Sequence, residues 1–200
     1  IPKEAIQIKK TQMTAKEAVE TVWACDKNNY PLQVANISMT EPDTINIANR
    51  LFQHNALTLS IGEKITITNP ETGGNMILAL PAFGAVVSNL PFVPFEIIPA
   101  DDKDEISKMP FVDILDGRSD LYCYIATKIA DVIKPEGTLG IIVSNSWLGT
   151  NAGIKLMEAL KQEYNIKQVH ISGQGRWFKN ADVVTTILVL EKKKNSNCVD

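Results

Sequence analysis

Asn89-Leu90-Pro91-Phe92 puts a carboxamide, a proline and an aromatic ring into four consecutive residues. The side-chain oxygen of Asn89 and the backbone carbonyl of Leu90 can both accept hydrogen bonds from one exocyclic amine. The ring of Phe92 offers a face on which a flat heterocycle can stack. The residues just before, Ala82 to Ser88, form a short apolar run that predicts a strand buried on both faces. Pro91 cannot donate to a ladder, so pairing stops there. In an open α/β sheet, ligands sit beyond the carboxyl ends of the strands, which is where this tetrapeptide falls. A strand followed by a plain turn accounts for the same four residues, so the tetrapeptide needs support from elsewhere in the chain.

A second candidate lies earlier. Thr21 to Cys25 reads as a buried strand ending at Asp26, Lys27 to Pro31 as a turn, and Leu32 to Met39 as a helix with Leu32, Ala35 and Met39 on one face. A strand, an acid, a turn and a helix is the order in which a carboxylate grips the two hydroxyls of a ribose. Asp26 can equally cap the helix or solvate the loop. A nucleotide site also needs a glycine-rich turn ahead of that acid, because only glycine lets the backbone approach so closely. The first glycine in this sequence is Gly62. Asn55 can lie beside an adenine ring or simply shape a turn. His54 is expected to face solvent or cap locally, with no carboxylate or nucleophile placed to make it a base.

Other features point away from chemistry. Gly73-Gly74 lacks a following lysine and reads as a turn. The acidic stretch Asp101-Asp102-Lys103-Asp104-Glu105 has no metal-loop spacing and reads as a solvated run. The three cysteines are odd in number and unclustered, which suits a reducing cytoplasm, and no metal-ligand cluster is visible in the sequence. Arg176, Trp177, Phe178 and Lys179 mix cations and aromatics in one loop. They suit nucleic-acid stacking and phosphate pairing, or the packing of a hairpin corner.

The elements that must position these groups follow from pattern. Thr14 and Glu17 have capping-box spacing. A strand is expected near Ala56 to Leu59, and a β excursion over residues 60–81. Residues 93–118 read as a mobile surface loop. Ser119 is placed to cap a helix carrying Leu121, Tyr124, Ile125 and Lys128, and a strand runs from Thr138 to Val143. A helix follows over Ala152 to Tyr164, then strands near Ile166 to Ile171 and Val183 to Leu190. The last two strands have no helix between them. The prediction is an α/β chain with a mostly parallel sheet and an antiparallel pair near the C-terminus. The 200 residues suit one domain, spanning 1–200. The 44% apolar and 22% charged composition is globular. The net charge of −3 leaves no broad basic surface for nucleic acid. No apolar run is long enough for a membrane span.

Together these segments resemble the adenine-specific DNA methyltransferases of restriction-modification systems. The resemblance rests on Asn89-Leu90-Pro91-Phe92, on the run from Ser119-Asp120-Leu121-Tyr122 through Gly137 to Leu148, and on Gly175-Arg176-Trp177-Phe178 with Ala181 to Leu190. Leu90 stands where proline is usual, a form similar to that of ribosomal RNA adenine dimethylases. The resemblance implies a Rossmann-like sheet, incomplete at its N-terminal end. It implies S-adenosylmethionine as methyl donor, with Asp26 and Lys27 at its ribose and Asn55 and Ala56 near its adenine. It assigns Asn89, Leu90, Pro91 and Phe92 to a flipped adenine of duplex DNA, and no metal. It implies a cytoplasmic enzyme with a separate target-recognition domain or specificity subunit. Lacking the glycine-rich motif, the 200 residues alone are expected to bind the donor weakly or not at all and to be inactive. A non-catalytic scaffold subunit and an RNA adenine methyltransferase are the alternatives.

Overall fold

Thr14 and Glu17 close the capping box that their spacing predicts: the Glu17 N–H donates to Thr14 Oγ1, and the Thr14 N–H donates to Glu17 Oε2 at 2.9 Å. The box starts α2 (Ala15–Thr21), which follows α1 (Pro2–Lys9), a helix in a segment whose pattern is ambiguous. The computed structural model describes residues 2–42, 44–115, 117–172 and 184–194. Its chain divides into two units, Ile1–Pro81 and Ala82–Asp200.

In the first unit, Ile6, Ala18, Val19, Val22 and Met39 form a buried cluster, with Ala35 and Leu51 packed on it. β1 (Trp23–Asp26) leads into α3 (Asn29–Met39), and β2 (Arg50–Gln53) returns parallel to β1 with Asp26 opposite Gln53. The strand expected at 56–59 is instead a turn, and the real strand lies earlier, at 50–53. The cause is Asn55, whose Oδ1 accepts from the Leu57 N–H at 3.1 Å and bends the chain at once. Burial of Leu57 and Leu59 then pins that turn. β3 (Lys64–Thr68) and β4 (Asn75–Ala79) form an antiparallel hairpin. Gly73, at φ 68°, takes the left-handed conformation its turn requires.

The second unit is built on a four-stranded sheet in the order β5-β6-β8-β7. β5 (Phe83–Asn89) runs parallel to β6 (Ile133–Ser144), while β8 (Thr185–Lys192) is antiparallel to both β6 and β7 (Tyr164–Ile171). β7 and β8 pair antiparallel where the sequence pattern puts an antiparallel pair, and residues 173–183 between them lie outside the described residues. α5 (Leu121–Lys128) connects β5 to β6, and α6 (Asn151–Glu163) connects β6 to β7. Asp120, not Ser119, is the cap residue of α5, because the Ser119 hydroxyl is spent on the Leu115 carbonyl at 2.7 Å. Leu139, Ile141 and Val143 alternate along β6 and are fully buried, with Leu188 and Leu190 opposite them on β8. The other face, carrying Ile142 and Ile187, is only half-buried.

The expectation that β5 is buried on both faces is overturned. Val86 and Ser88 are half-buried on the covered face, whereas Ala85, Val87 and Asn89 are exposed on the open one. Val87 is 58% exposed. The reason is position: β5 is the rim of its sheet, with β6 on one side and no other strand paired to it among the described residues. The acidic run also departs from the expected loop. After a 3-10 turn at Phe95–Ile97 it forms α4 (Ala100–Ser107). Asp101 and Asp102 lie in the first turn, where the helix dipole favours acids, and Ile106 is buried one turn after Asp102. Lys103 Nζ sits 4.9 Å from the Phe95 ring and donates to the Glu96 carbonyl, fastening the helix to that turn.

Candidate functional site

Alternation along β5 decides what the strand end offers. Asn89 faces the open side of the sheet, and Leu90, next in line, turns back to the covered side and is 3% exposed. The Leu90 N–H donates to the Ile142 carbonyl at 3.2 Å, extending the ladder one rung past the strand. Pro91 is exposed and ends the pairing. Phe92 is 36% exposed. Its ring meets Tyr122 edge to face, with centroids 6.3 Å apart and planes at 87°. The Leu121 N–H donates to the Val93 carbonyl at 2.9 Å, so the first turn of α5 tethers the loop from below. Among the described residues, neither the Asn89 carboxamide nor the Leu90 carbonyl has a hydrogen-bond partner. A buried leucine therefore anchors the loop while an amide and a ring stand out from it.

The contact with Tyr122 escaped the sequence reading. Nothing in a linear pattern marks two rings thirty positions apart as neighbours, although Tyr122 does open the apolar face of α5.

In the first unit, the predicted residues gather at one sheet edge. Asp26 ends β1, and the His54 N–H just past β2 donates to the Asp26 carbonyl at 3.0 Å. Asp26 Oδ1 accepts from the Asn28 N–H at 2.7 Å, closing the turn that starts α3. Among the described residues Oδ2 has no partner. Lys27 is exposed, and its carbonyl accepts from Gln53 Nε2 at 2.9 Å. Asn55 and Ala56 begin the turn after β2 and are half-buried. His54 is held locally, with Nε2 3.1 Å from Thr58 Oγ1 and 3.4 Å from Glu63 Oε2. A half-buried carboxylate with an oxygen to spare, at the end of a parallel strand, fits the ribose of a nucleoside cofactor.

Two thiols lie close to these groups, and burial disfavours the thiolate of each. Burial, reinforced by Asp26, pushes Cys25 up to about 11. Burial likewise pushes Cys123, next to Tyr122, up to about 12. Both stay protonated at neutral pH. Among the described residues no cluster of His, Cys, Asp or Glu could hold a metal, and no helix is long and apolar enough to cross a membrane. Arg176, Trp177, Phe178 and Lys179 lie outside the described residues.

Residues 1–178 match the Eco57I restriction-modification methylase family. The type II methyltransferase M.BanIII of Aneurinibacillus aneurinilyticus is 29% identical over 110 residues, covering 55% of this chain and 18% of that protein. A class I S-adenosylmethionine-dependent methyltransferase from Listeria monocytogenes superposes with a TM-score of 0.61 at 17% identity, over 86% of this chain and 44% of that one. The chain thus spans less than half the length of either relative, and it shares the fold of the Listeria protein. With a family match over residues 1–178, the chain belongs to the Eco57I restriction-modification methylases.

Proposed function

We propose that this chain is part of an enzyme that methylates N6 of adenine in DNA, and that Asn89, Leu90, Pro91 and Phe92 hold the target base. One observation carries the reading. An exposed carboxamide and an adjacent carbonyl, both without partners among the described residues, stand beside an exposed ring at a strand end. Inside a duplex the adenine amine is out of reach, so the base must be turned out of the stack. The Asn89 Oδ1 and the Leu90 carbonyl then accept its two N–H groups. This pulls the nitrogen lone pair out of conjugation with the ring and makes the amine a nucleophile. Phe92 stacks on the base and fixes its plane. S-adenosylmethionine supplies an activated methyl group when bound. Asp26 and Lys27 are suited to its ribose, and Asn55 and Ala56 to its adenine. As nitrogen gains the methyl it sheds a proton, which the exposed Asn89 side passes to solvent. The inert thiols of Cys25 and Cys123 fit a direct transfer without a covalent enzyme intermediate.

The acidic pI of about 5.5 is poorly suited to gripping phosphates unaided. DNA contact is therefore assigned to a target-recognition domain or specificity subunit. Leu90 in place of proline favours a second reading, in which the substrate is structured RNA.

The test uses the intact protein and radiolabelled S-adenosylmethionine, with unmethylated amplified chromosomal DNA in one arm and structured RNA in the other. Label is expected in N6-methyladenine of the DNA. Asn89→Ala is expected to lower that rate by at least ~10²-fold, the scale of losing one preorganised polar group at a reacting centre. Its melting temperature should match wild type, since the side chain is exposed and has no hydrogen-bond partner among the described residues. Full activity in that variant would falsify the assignment, and label confined to RNA would select the second reading.

A further inference from the structure

We propose that Tyr122 is a positioning residue: from within the fold it fixes the ring plane of Phe92, and so the surface on which the target base stacks. The inference rests on the reading that Phe92 stacks a flipped adenine.

Phe92 is 36% exposed on a loop that has just left its strand, whereas Tyr122 is 2% exposed, in the first turn of α5. An exposed phenylalanine on its own hops between rotamers and presents no fixed plane. Two attachments remove that freedom. The Leu121 N–H holds the Val93 carbonyl at 2.9 Å, clamping the backbone on the far side of Phe92. Tyr122, one residue along the helix, then meets the ring at 87° with a centroid separation of 6.3 Å. That is the edge-to-face geometry that the ring quadrupoles favour. Whichever ring supplies the edge, at least one face of Phe92 stays clear of Tyr122. The rigid element is thus the helix, and the adaptable loop borrows its orientation from it. Stacking only helps transfer if the plane is set before the base arrives, because ordering the ring afterwards would subtract from the binding.

The experiment uses the intact protein and the DNA site at which wild type places N6-methyladenine. Single-turnover rates are measured for Tyr122→Leu, Phe92→Leu and the double variant. Melting temperatures and the KM for S-adenosylmethionine are recorded alongside. Tyr122→Leu is expected to slow transfer by about three- to tenfold, the measured scale of an edge-to-face pair. The KM for the donor should not change. In the Phe92→Leu background, Tyr122→Leu should slow transfer no further, because it acts only through that ring. Tyr122→Phe keeps the edge and should recover the rate. Should the leucine variant not fold, Tyr122→Met fills the space with a flexible chain that lacks a ring. A duplex carrying 2-aminopurine at the target position gives a readout that a packing defect would not move: its quenched, stacked component should shrink in Tyr122→Leu. Wild-type rates in Tyr122→Leu, or losses that multiply in the double variant, overturn the role of Tyr122 alone. If wild type methylates no adenine in DNA, the stacking assignment falls and this inference with it.

Discussion

At the scale of single residues, Leu90 shows how one side chain and one N–H fasten a loop to its sheet. The family resemblance implies proline here, and proline has no N–H. Leucine supplies one, and it bonds the Ile142 carbonyl at 3.2 Å while the side chain is buried. Asn89 is thereby held from its C-terminal side as well as by its own strand. Leu90→Pro should destabilise the fold by about 2 kcal/mol, combining a lost hydrogen bond with lost burial. Urea denaturation of the variant against wild type would measure it, and equal midpoints would show that the rung contributes nothing. The strand end at Asn89 was legible in sequence because its signals are local: an apolar run followed by a proline needs no partner to be recognised. Its support was not. The carbonyl of Ile142 and the ring of Tyr122 reach it through the fold, over 52 and 30 positions respectively.

At the scale of elements, what could be read depended on whether the signal was local. Thr14 and Glu17 declare a helix start through two side chains three residues apart. Thr14→Ala removes that reciprocal pair and should cost about 1 kcal/mol of stability, as cap losses do. The pH dependence has a definite sign. The Thr14 hydrogen bonds, side chain first, hold the Glu17 carboxyl below its ordinary value of 4.5. A carboxyl with a lowered folded pKa contributes stability that is fully present above 4.5 and is lost as pH falls through the lower folded value. Melting curves of wild type and Thr14→Ala should therefore converge as pH drops below that point, with a constant gap from neutral pH down to it. The helix over the acidic run was hidden for the opposite reason. Its buried residues, Asp102 and Ile106, are only two, too few to raise an apolar period. The turn at Asn55 was hidden because Ala56 to Leu59 has the composition of a strand, and a single Asx bond overrides it.

At the scale of the whole molecule, alternating strands and helices with a closing antiparallel pair point to the α/β class, and the mixed sheet and the fold shared with the Listeria protein bear it out. Burial did not follow from that pattern, because whether an apolar strand is covered depends on its neighbours in space. β5 reads as interior by composition and lies at the rim by topology. This position has a consequence for amide hydrogens. The Leu90 N–H points to β6, so by the two-residue repeat of a strand those of Ser88 and Val86 point there as well. The intervening amides of Ala85, Val87 and Asn89 point away from β6, with no acceptor among the described residues. In deuterium oxide, β5 should therefore exchange in a comb: Val86, Ser88 and Leu90 slow, Ala85, Val87 and Asn89 fast. Any strand that docks along this rim would silence the fast teeth first, so those three amides are a built-in reporter of what β5 pairs with.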